Sequence, residues 1–124
     1  MKKHIVLVVM ITGLLFLGCA EKKKYNEKYY QAQLCNELGG VMEQSLLDRT
    51  RIDCLTDEFA IEVDFSKKWA ESVGQSLYYA EMTGKKPAVG LIVRETKKDK
   101  RHLKRLRILA DKYDIKIFKI ERGD

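Results

Sequence analysis

One seven-residue stretch alternates strictly between large apolar side chains and side chains that are small or acidic. The large apolar positions are Phe59, Ile61, Val63 and Phe65, and the positions between them are Ala60, Glu62 and Asp64. Because successive side chains of a β-strand point to opposite faces of a sheet, this pattern predicts a half-buried strand. Residues 51–55 predict a second strand, and residues 56–58 predict the turn between the two. The sequence therefore predicts a β-hairpin at the centre of the chain.

The segments on either side of this hairpin complete an α/β domain with the element order α-β-β-β-α-β-α-β. The predicted elements are a helix over 29–38, strands over 41–47, 51–55 and 59–65, a helix over 66–82, a strand over 88–93, a helix over 97–113 and a strand over 115–120. Ser66 is a favourable N-cap for the second helix. The predicted apolar stripes of the last two helices are Trp69, Val73, Leu77 and Ala80, and Leu103, Leu106, Ile108 and Leu109. A chain of 124 residues has room for one such domain.

The N-terminal segment has the pattern of a bacterial signal peptide. Residues 2–4 are basic, and residues 5–17 are mostly apolar but too few to span a bilayer comfortably. The apolar stretch ends at Gly18-Cys19, which resembles the lipobox of bacterial lipoproteins, although the two residues before it are bulkier than usual. This resemblance implies a signal peptide over 1–18, lipidation of Cys19, a polar tether over 19–28 and a domain over 29–124.

Lipidation of Cys19 would anchor the domain to a membrane of the cell envelope. Ala20 follows the cysteine, where lipoproteins retained in the inner membrane typically have Asp. In a Gram-negative host the expected location is therefore the periplasmic face of the outer membrane. An ordinary cleaved signal peptide and an uncleaved anchor are the alternatives.

Two cysteines remain once Cys19 is assigned to lipidation. Cys35 and Cys54 form an even pair, which in an oxidising compartment predicts a disulfide. Closing a loop of roughly 20 residues would stabilise a small domain by about 3 kcal/mol. Two buried thiols that pack as small hydrophobic groups are the alternative.

The hairpin brings acidic side chains together if its loop consists of two residues, Asp57 and Glu58. That register places Asp53 opposite Glu62, with their Cβ atoms about 5 Å apart. Facing carboxylates repel each other unless a cation lies between them, and the oxygen-binding ions Mg²⁺ and Mn²⁺ are the natural candidates. A polar sheet face without a metal is the alternative, and a three-residue loop would break the register.

The same register has a second consequence for the neighbouring charged residues. It places Arg51 opposite Asp64, which predicts an ion pair between the two strands.

This region resembles the PD-(D/E)xK nuclease superfamily. The α-β-β-β-α-β order, the stretch 51–64 with an Asp on the second strand and an acidic residue opposite it on the third, and Gln75 on the following helix carry the resemblance. It implies a restriction-endonuclease-like core, here with an added basic helix and a final strand. It also implies that Asp53, Glu62 and the carbonyl of Val63 bind Mg²⁺ or Mn²⁺.

The match to the catalytic motif has two departures. Ile52 occupies the place of Pro, and Asp64 occupies the place of the motif's Lys. Lys68, or its neighbour Lys67, is a candidate to replace that cation from the next helix, and each could instead be a solvated first-turn residue. The implied catalytic set is Asp53, Glu62, Asp64, Lys68 and Gln75. Glu43 on the first strand is either a further metal ligand or a surface glutamate.

Lys68, Ser72, Gln75 and Tyr79 recur at helical spacing and therefore share one face of the second helix. This face is expected to overlook the carboxylates, with Lys68 and Gln75 on the side of the site.

Basic residues are concentrated on the third predicted helix. The candidate nucleic-acid contacts are Lys97, Lys98, Arg101, Lys104 and Arg105. A helix with this charge could follow a phosphate backbone, lie on anionic lipid head groups, or present a solvated face.

Three functional interpretations follow. The first is a metal-dependent nuclease at the cell envelope, hydrolysing phosphodiester bonds of DNA or RNA. The second keeps the fold without catalysis, as a module that binds nucleic acid or a protein partner. The third is a disulfide-stabilised structural lipoprotein that binds no metal.

Overall fold

The computed structural model describes Gly18 and residues 23–123. The predicted lipidation site Cys19 and the signal peptide before Gly18 lie outside these residues. Among residues 23–123, none of the helices combines the length and the apolar character that a membrane span requires.

The described chain forms an α/β domain with the predicted element order. Its elements are α1 (Glu27–Glu37), β1 (Val41–Ser45), β2 (Arg51–Leu55), β3 (Phe59–Phe65), α2 (Trp69–Thr83), β4 (Lys86–Val93), α3 (Lys97–Tyr113) and β5 (Lys116–Glu121). The predicted bounds of β2, β3 and α3 are confirmed, and those of the other elements differ by a few residues. Pro87 lies inside β4 rather than before it.

The prediction that Ser66 caps α2 is wrong. A single 3₁₀ turn, Ser66–Lys68, precedes the helix, and Lys68 stands at the cap position without a capping hydrogen bond. The hydroxyl of Ser66 instead donates to Asp99 of α3 at 2.7 Å. Ser66 therefore connects the end of β3 to α3.

The five strands form one mixed sheet in the order β1-β2-β3-β4-β5. The first three strands are antiparallel, and β4 and β5 run parallel to β3. Because β3 leads into α2 and β4 leads into α3, both helices begin at the edge where the parallel strands end. We call this edge the carboxyl edge.

The sheet is covered on both faces. Tyr30 and Leu34 of α1 pack with Ile61 and Val63 on one face. On the other face α2 and α3 share a second cluster, in which Leu106 is fully buried. Three of the predicted stripe residues on these helices are buried: Val73, Leu103 and Leu106.

One of the predicted core residues of α3 is solvent-exposed. The side chain of Ile108 is 63% exposed, because Leu103, Leu106 and Ala110 define the buried face of the helix and Ile108 points away from it. The prediction of partial burial for Ile108 is therefore wrong.

A disulfide between Cys35 and Cys54 fastens α1 to β2, as predicted. Gly40 lies directly against it: a Cβ added there would approach Cys54 Sγ to 2.6 Å. The absence of a side chain at Gly40 therefore allows β1 to begin beside the bridge.

Candidate active site

The central hairpin has the predicted two-residue loop. Cys54 lies opposite Ile61, and the backbone N–H of Thr56 donates to the carbonyl of Phe59 at 2.9 Å. Beyond Cys54 the regular backbone pairing of β2 and β3 ends. There the carboxylate of Asp53 accepts a hydrogen bond from the backbone N–H of Val63 at 2.8 Å. A side chain thus bridges β2 and β3 at the point where the acidic residues begin.

Gln31 of α1 binds the backbone of Asp53. Its buried amide donates to the carbonyl of Asp53 at 2.8 Å and to the carboxylate of Glu43 at 3.1 Å. Glu43 has a positive φ of 57°, an uncommon conformation for a non-glycine residue. The strand β1 therefore departs from regular geometry at Glu43, next to Asp53 of β2.

The predicted ion pair between Arg51 and Asp64 is wrong. The guanidinium of Arg51 pairs with Glu43 instead, at 2.6 Å. The β2–β3 ladder pairs only the residues next to the loop, so Arg51 lies beyond it, whereas β1 and β2 remain paired as far as Ser45 and Arg51. The partner of Arg51 is accordingly on β1.

Asp64 is buried against the start of α2. Its side chain accepts a hydrogen bond from the hydroxyl of Ser72 at 2.7 Å, and the ammonium of Lys68 lies 3.7 Å from its other oxygen. Lys68 also lies 3.9 Å from a carboxylate oxygen of Glu27 in α1. The buried carboxylate of Asp64 thus has a hydroxyl of α2 and the ammonium of Lys68, at the end of the 3₁₀ turn before α2, as its neighbours.

Glu62 is the least satisfied of the three acids. It is 6% exposed, and its Oε2 atom is buried without a hydrogen-bond partner in the described part of the chain. Burial, together with the nearby charges of Asp53 and Asp64, raises the pKa of Glu62 to about 9. At neutral pH the isolated domain therefore holds a proton on Glu62.

The other two acids show the same effect more weakly. Burial raises the pKa of Asp53 to about 6, although the hydrogen bond from Val63 opposes the shift. Burial also raises the pKa of Asp64 to about 7, against the opposing hydrogen bond from Ser72. A cluster with three raised carboxyl pKa values is typical of functional sites, where a bound cation offsets the repulsion.

Gln75 is linked to this cluster through Tyr79. Tyr79 is 5% exposed, and its pKa is raised first by burial and then by the charges of Glu62 and Asp53. The side chain of Gln75 hydrogen-bonds to Tyr79 and opposes this shift. Lys68, Ser72, Gln75 and Tyr79 form the α2 face that the sequence predicts, and Tyr79 contacts the site although it is absent from the predicted catalytic set.

The donor atoms in this cluster suit a hard cation. All are oxygens, and Mg²⁺ commonly binds through one or two carboxylates together with water and substrate phosphate. Across residues 23–123, however, no group of three or more His, Cys, Asp and Glu side chains is arranged to hold a metal ion. A metal at these acids would therefore have fewer than three such side chains as ligands and would depend on water or substrate for the others.

The predicted nucleic-acid contacts all lie on the solvent side of α3. The five exposed residues are Lys97, Lys98, Arg101, Lys104 and Arg105. Their spacing places them on one helical face, opposite the buried Leu106. The guanidinium of Arg105 lies 6.0 Å from the ring centre of Trp69, the first residue of α2. The basic face of α3 therefore extends to the first residue of α2, which directly follows Lys68.

No protein-family model, curated protein or solved structure matches this chain. Its function has to be inferred from the chemistry of the site.

Proposed function

We propose that this chain is a metal-dependent nuclease of the cell envelope that hydrolyses phosphodiester bonds in DNA or RNA. The observation that carries the proposal is the buried Oε2 of Glu62, which has no hydrogen-bond partner in the described chain and lies beside Asp53 where β2 and β3 lose their regular pairing. Ionising a buried carboxyl group is strongly unfavourable unless the charge is paired, so a bound cation is the simplest reason to keep an acid at this position.

The architecture supports the proposal. An antiparallel β1-β2-β3 unit continues through α2 into a parallel β4, as the PD-(D/E)xK resemblance implies. We therefore propose a restriction-endonuclease-like core, to which α3 and β5 are additions.

Asp53, Glu62 and the carbonyl of Val63 are the proposed ligands of Mg²⁺ or Mn²⁺. The N–H of Val63 faces Asp53, and in an extended strand the carbonyl of the same residue points to the same side. We propose that Glu62, the next residue before Val63, contributes its carboxylate to the same ion. When bound, such an ion supplies an activated water and stabilises negative charge on a phosphate.

Lys68 is the proposed cation for the scissile phosphate. Its pKa is raised by the charges of Glu27 and Asp64, so it stays protonated at neutral pH. A protonated lysine cannot act as a base, so its contribution would be electrostatic. Asp64 and Glu27 position its ammonium, and Gln75 hydrogen-bonds to Tyr79 on the α2 face next to the acids.

A non-catalytic module that binds nucleic acid or a protein partner is the second candidate. Asp64 favours it, because this residue replaces the motif's Lys and is engaged by Ser72. The basic face of α3 would suffice for binding phosphate backbones without catalysis.

Cleavage assays on the full-length protein in detergent separate the two candidates. Labelled single- and double-stranded DNA and RNA would be incubated with Mn²⁺, Mg²⁺ or EDTA. We expect metal-dependent cutting that is lost in Asp53→Asn and Glu62→Gln and reduced in Lys68→Gln. Glu81→Gln, at an exposed position of α2, is the matched control and should cut normally. Binding without cutting under any metal would favour the second candidate.

The membrane anchor is proposed on the sequence alone. Lipidation of Cys19 would place the domain at the envelope, and metabolic labelling with a fatty acid would test it. Loss of the label in Cys19→Ser is the expected result, and an unlabelled parent protein would exclude the lipid.

A further inference from the structure

Lysine and tyrosine side chains are concentrated around the start of α1. Tyr25 stacks on Tyr29 with 4.0 Å between the ring centres, and the ammonium of Lys23 lies 5.6 Å from the ring centre of Tyr25. Lys24 and Lys28, the residues directly before the two tyrosines, are solvent-exposed. We call these five residues the N-terminal surface. None of the roles proposed above uses them.

The two tyrosines of this surface are fixed to the folded domain. Tyr25 is partly buried and packs against the core cluster that contains Tyr30, whose ring meets Tyr25 and Tyr29 edge to face at 6.3 and 5.4 Å. Tyr29 remains 37% exposed, and its hydroxyl accepts a hydrogen bond from Gln33 at 2.7 Å. Aromatic rings with a polar tip, held in this way at a surface, favour the boundary between water and a membrane interior.

The charge of the N-terminal surface is positive. Residues 23–36 contain three lysines, all at this surface, and one acid, Glu27. The carboxylate of Glu27 lies 3.9 Å from the ammonium of Lys68, on the side of the carboxylate cluster. A surface that combines lysines with tyrosine rings fits a bilayer that contains anionic phospholipid.

The N-terminal surface also lies close in the chain to the proposed lipid anchor. Four peptide units separate Cys19 from Lys23, and a fully extended chain covers about 14 Å over that length. A lipid on Cys19 would hold that residue at the bilayer, so the start of α1 would stay near the phospholipid head groups. The bilayer is therefore the partner that this surface meets at the highest effective concentration.

The topology of the domain gives this contact a direction. The helix α1 packs on one face of the sheet, whereas α2 and α3 pack on the other. A domain that rests on the N-terminal surface would therefore turn the basic face of α3 away from the bilayer. In this orientation a polynucleotide reaches α3 without competition from the lipid head groups.

We propose that the N-terminal surface lies on a bilayer containing anionic phospholipid and fixes the orientation of the anchored domain. Its lysines contact the phosphate groups, and the rings of Tyr25 and Tyr29 lie at the level of the head groups. The inference rests on the proposed lipid anchor but requires no catalysis.

Relaxation measurements on the anchored protein test this orientation. Full-length, lipidated and isotope-labelled protein would be placed in phosphatidylcholine nanodiscs that carry a paramagnetic head-group lipid, with or without phosphatidylglycerol. With phosphatidylglycerol we expect strong broadening of the amide signals of residues 24–33 and little broadening at residues 97–105, because α1 and α3 lie on opposite faces of the sheet. Added salt should reduce the broadening at α1.

Two double variants test the contribution of charge. Lys24→Gln/Lys28→Gln should lower the ratio of docked to free domain by about tenfold or more. The matched control Lys86→Gln/Lys112→Gln removes two exposed charges elsewhere and should leave that ratio nearly unchanged. An equal loss in both double variants would show that overall charge, rather than the N-terminal surface, attracts the domain to the bilayer.

Two single variants test the contribution of the rings. Tyr29→Ser should reduce the broadening at α1 even at high salt, where the lysines contribute little. Tyr113→Ser removes an exposed tyrosine of α3 and should have no such effect. Unchanged broadening in Tyr29→Ser would overturn the part of the inference that concerns the rings.

Three further results would overturn the inference. Equal broadening on all faces, or none at α1, with phosphatidylglycerol present would show that the domain moves freely on its tether. Stronger broadening at residues 97–105 than at residues 24–33 would assign the bilayer contact to α3. An oligonucleotide that shifts the amide signals of residues 24–29 more than those of residues 97–105 would identify the N-terminal surface as a nucleic-acid contact instead.

The lipid anchor, the nuclease and this surface fail separately. If Cys19 carries no lipid, salt-sensitive cosedimentation with phosphatidylglycerol vesicles that is lost in Lys24→Gln/Lys28→Gln would still support the surface, and absence of cosedimentation would overturn it. The expected orientation without cutting under any metal would exclude the nuclease alone. Normal cutting by a domain that moves freely on its tether would exclude the surface and leave the nuclease.

Discussion

Glu62 lies in an environment that disfavours its charged form. Its Oε2 atom has no partner among residues 23–123, and two other buried acids lie close enough to influence its pKa. Structural stability alone would be served better by a neutral side chain of the same shape. Retaining a carboxylate there makes sense if it binds a cation, and this makes Glu62 the most informative residue to substitute.

We expect Glu62→Gln to stabilise the metal-free protein in a pH-dependent way. The folded pKa of about 9 lies above the ordinary value of 4.5, so the contribution of Glu62 to the free energy of unfolding is largest below pH 4.5 and is lost as the pH rises towards 9. In EDTA at pH 8 the variant should melt about 5 °C or more above the parent protein, and the gap should shrink at pH 5.

Thermal melts with Mn²⁺ complete this test. The ion should raise the melting temperature of the parent protein and leave Glu62→Gln almost unchanged. Glu81→Gln serves as the exposed control. A variant that is less stable than the parent at pH 8 in EDTA would contradict the account of Glu62.

Ser72 supports the buried charge of Asp64. We expect Ser72→Ala to lower the free energy of unfolding by about 1–3 kcal/mol at pH 8, because the ionised carboxylate loses its hydrogen-bond donor. The loss should be smaller at pH 5, where Asp64, with its pKa raised to about 7, is protonated. Urea titrations at both pH values measure this difference.

A second buried serine of α2 provides the control. Ser76 donates to a backbone carbonyl within its own helix, so Ser76→Ala should have the same effect at both pH values. If Ser72→Ala lowered the free energy of unfolding equally at both pH values, the hydrogen bond to Asp64 would not explain its effect on stability.

At the scale of elements, α1 closes one side of the site through two connections. The disulfide from Cys35 fixes the helix to Cys54 of β2, and Gln31 holds the carbonyl of Asp53. Both connections lie within one turn of α1 and reach adjacent residues of β2. The geometry around Asp53 therefore depends on how firmly α1 is attached.

We expect Cys35→Ala/Cys54→Ala to lower the free energy of unfolding by about 3 kcal/mol, since the bridge spans 19 positions along the chain. Mn²⁺ should also bind more weakly, because Asp53 loses part of its support. Chemical denaturation and isothermal titration measure the two effects. Gln31→Ala leaves the disulfide intact and should weaken Mn²⁺ binding with a smaller loss of stability. Unchanged Mn²⁺ binding in both variants would show that α1 does not support the metal site.

Much of this architecture is predictable because its signals are local. The alternation of β3 and the short loop at Asp57 and Glu58 are sufficient to predict the hairpin register next to the turn. The pairing of Arg51 with Glu43 is not predictable in this way, because it depends on where the β2–β3 ladder stops. Likewise, the 3₁₀ turn at Ser66 arises from a contact with α3, 33 residues further along the chain.

The site itself was only partly predictable. The acids and Lys68 follow from strand alternation and helical spacing, but the buried amide of Gln31 lies on a helix without a strong apolar stripe. Tyr79 is detectable by its spacing of four residues from Gln75. Its contact with the acids nevertheless depends on the tertiary packing of α2 against β2 and β3.

Over the whole molecule, buried negative charge and exposed positive charge occupy different surfaces. The buried acids Glu62 and Asp64 lie next to α2, whereas a large group of exposed basic side chains lies on α3. A polyanion would therefore be attracted to the outer surface before any part of it approached the carboxylates. This arrangement predicts that affinity and chemistry can be altered separately.

We expect Lys97→Gln/Arg101→Gln/Lys104→Gln to weaken oligonucleotide binding and to reduce the salt slope by about 1 for each phosphate that the variant no longer neutralises. The turnover of bound substrate should change little. Filter binding at several salt concentrations and single-turnover cleavage measure the two quantities. Lys85→Gln/Lys86→Gln/Lys112→Gln is the control of equal charge, and an equal loss of affinity in it would contradict a specific role for α3.

The disulfide between Cys35 and Cys54 also affects when the proposed metal site can become active. Thiols remain reduced in the cytosol, so a newly made chain would lack the covalent attachment of α1 to β2 until it reached an oxidising compartment. A site whose proposed ligand Asp53 depends on that attachment would stay inactive during synthesis and become active only after the proposed export. For an enzyme that cuts polynucleotides, such latency would protect the nucleic acids of the cell that makes it.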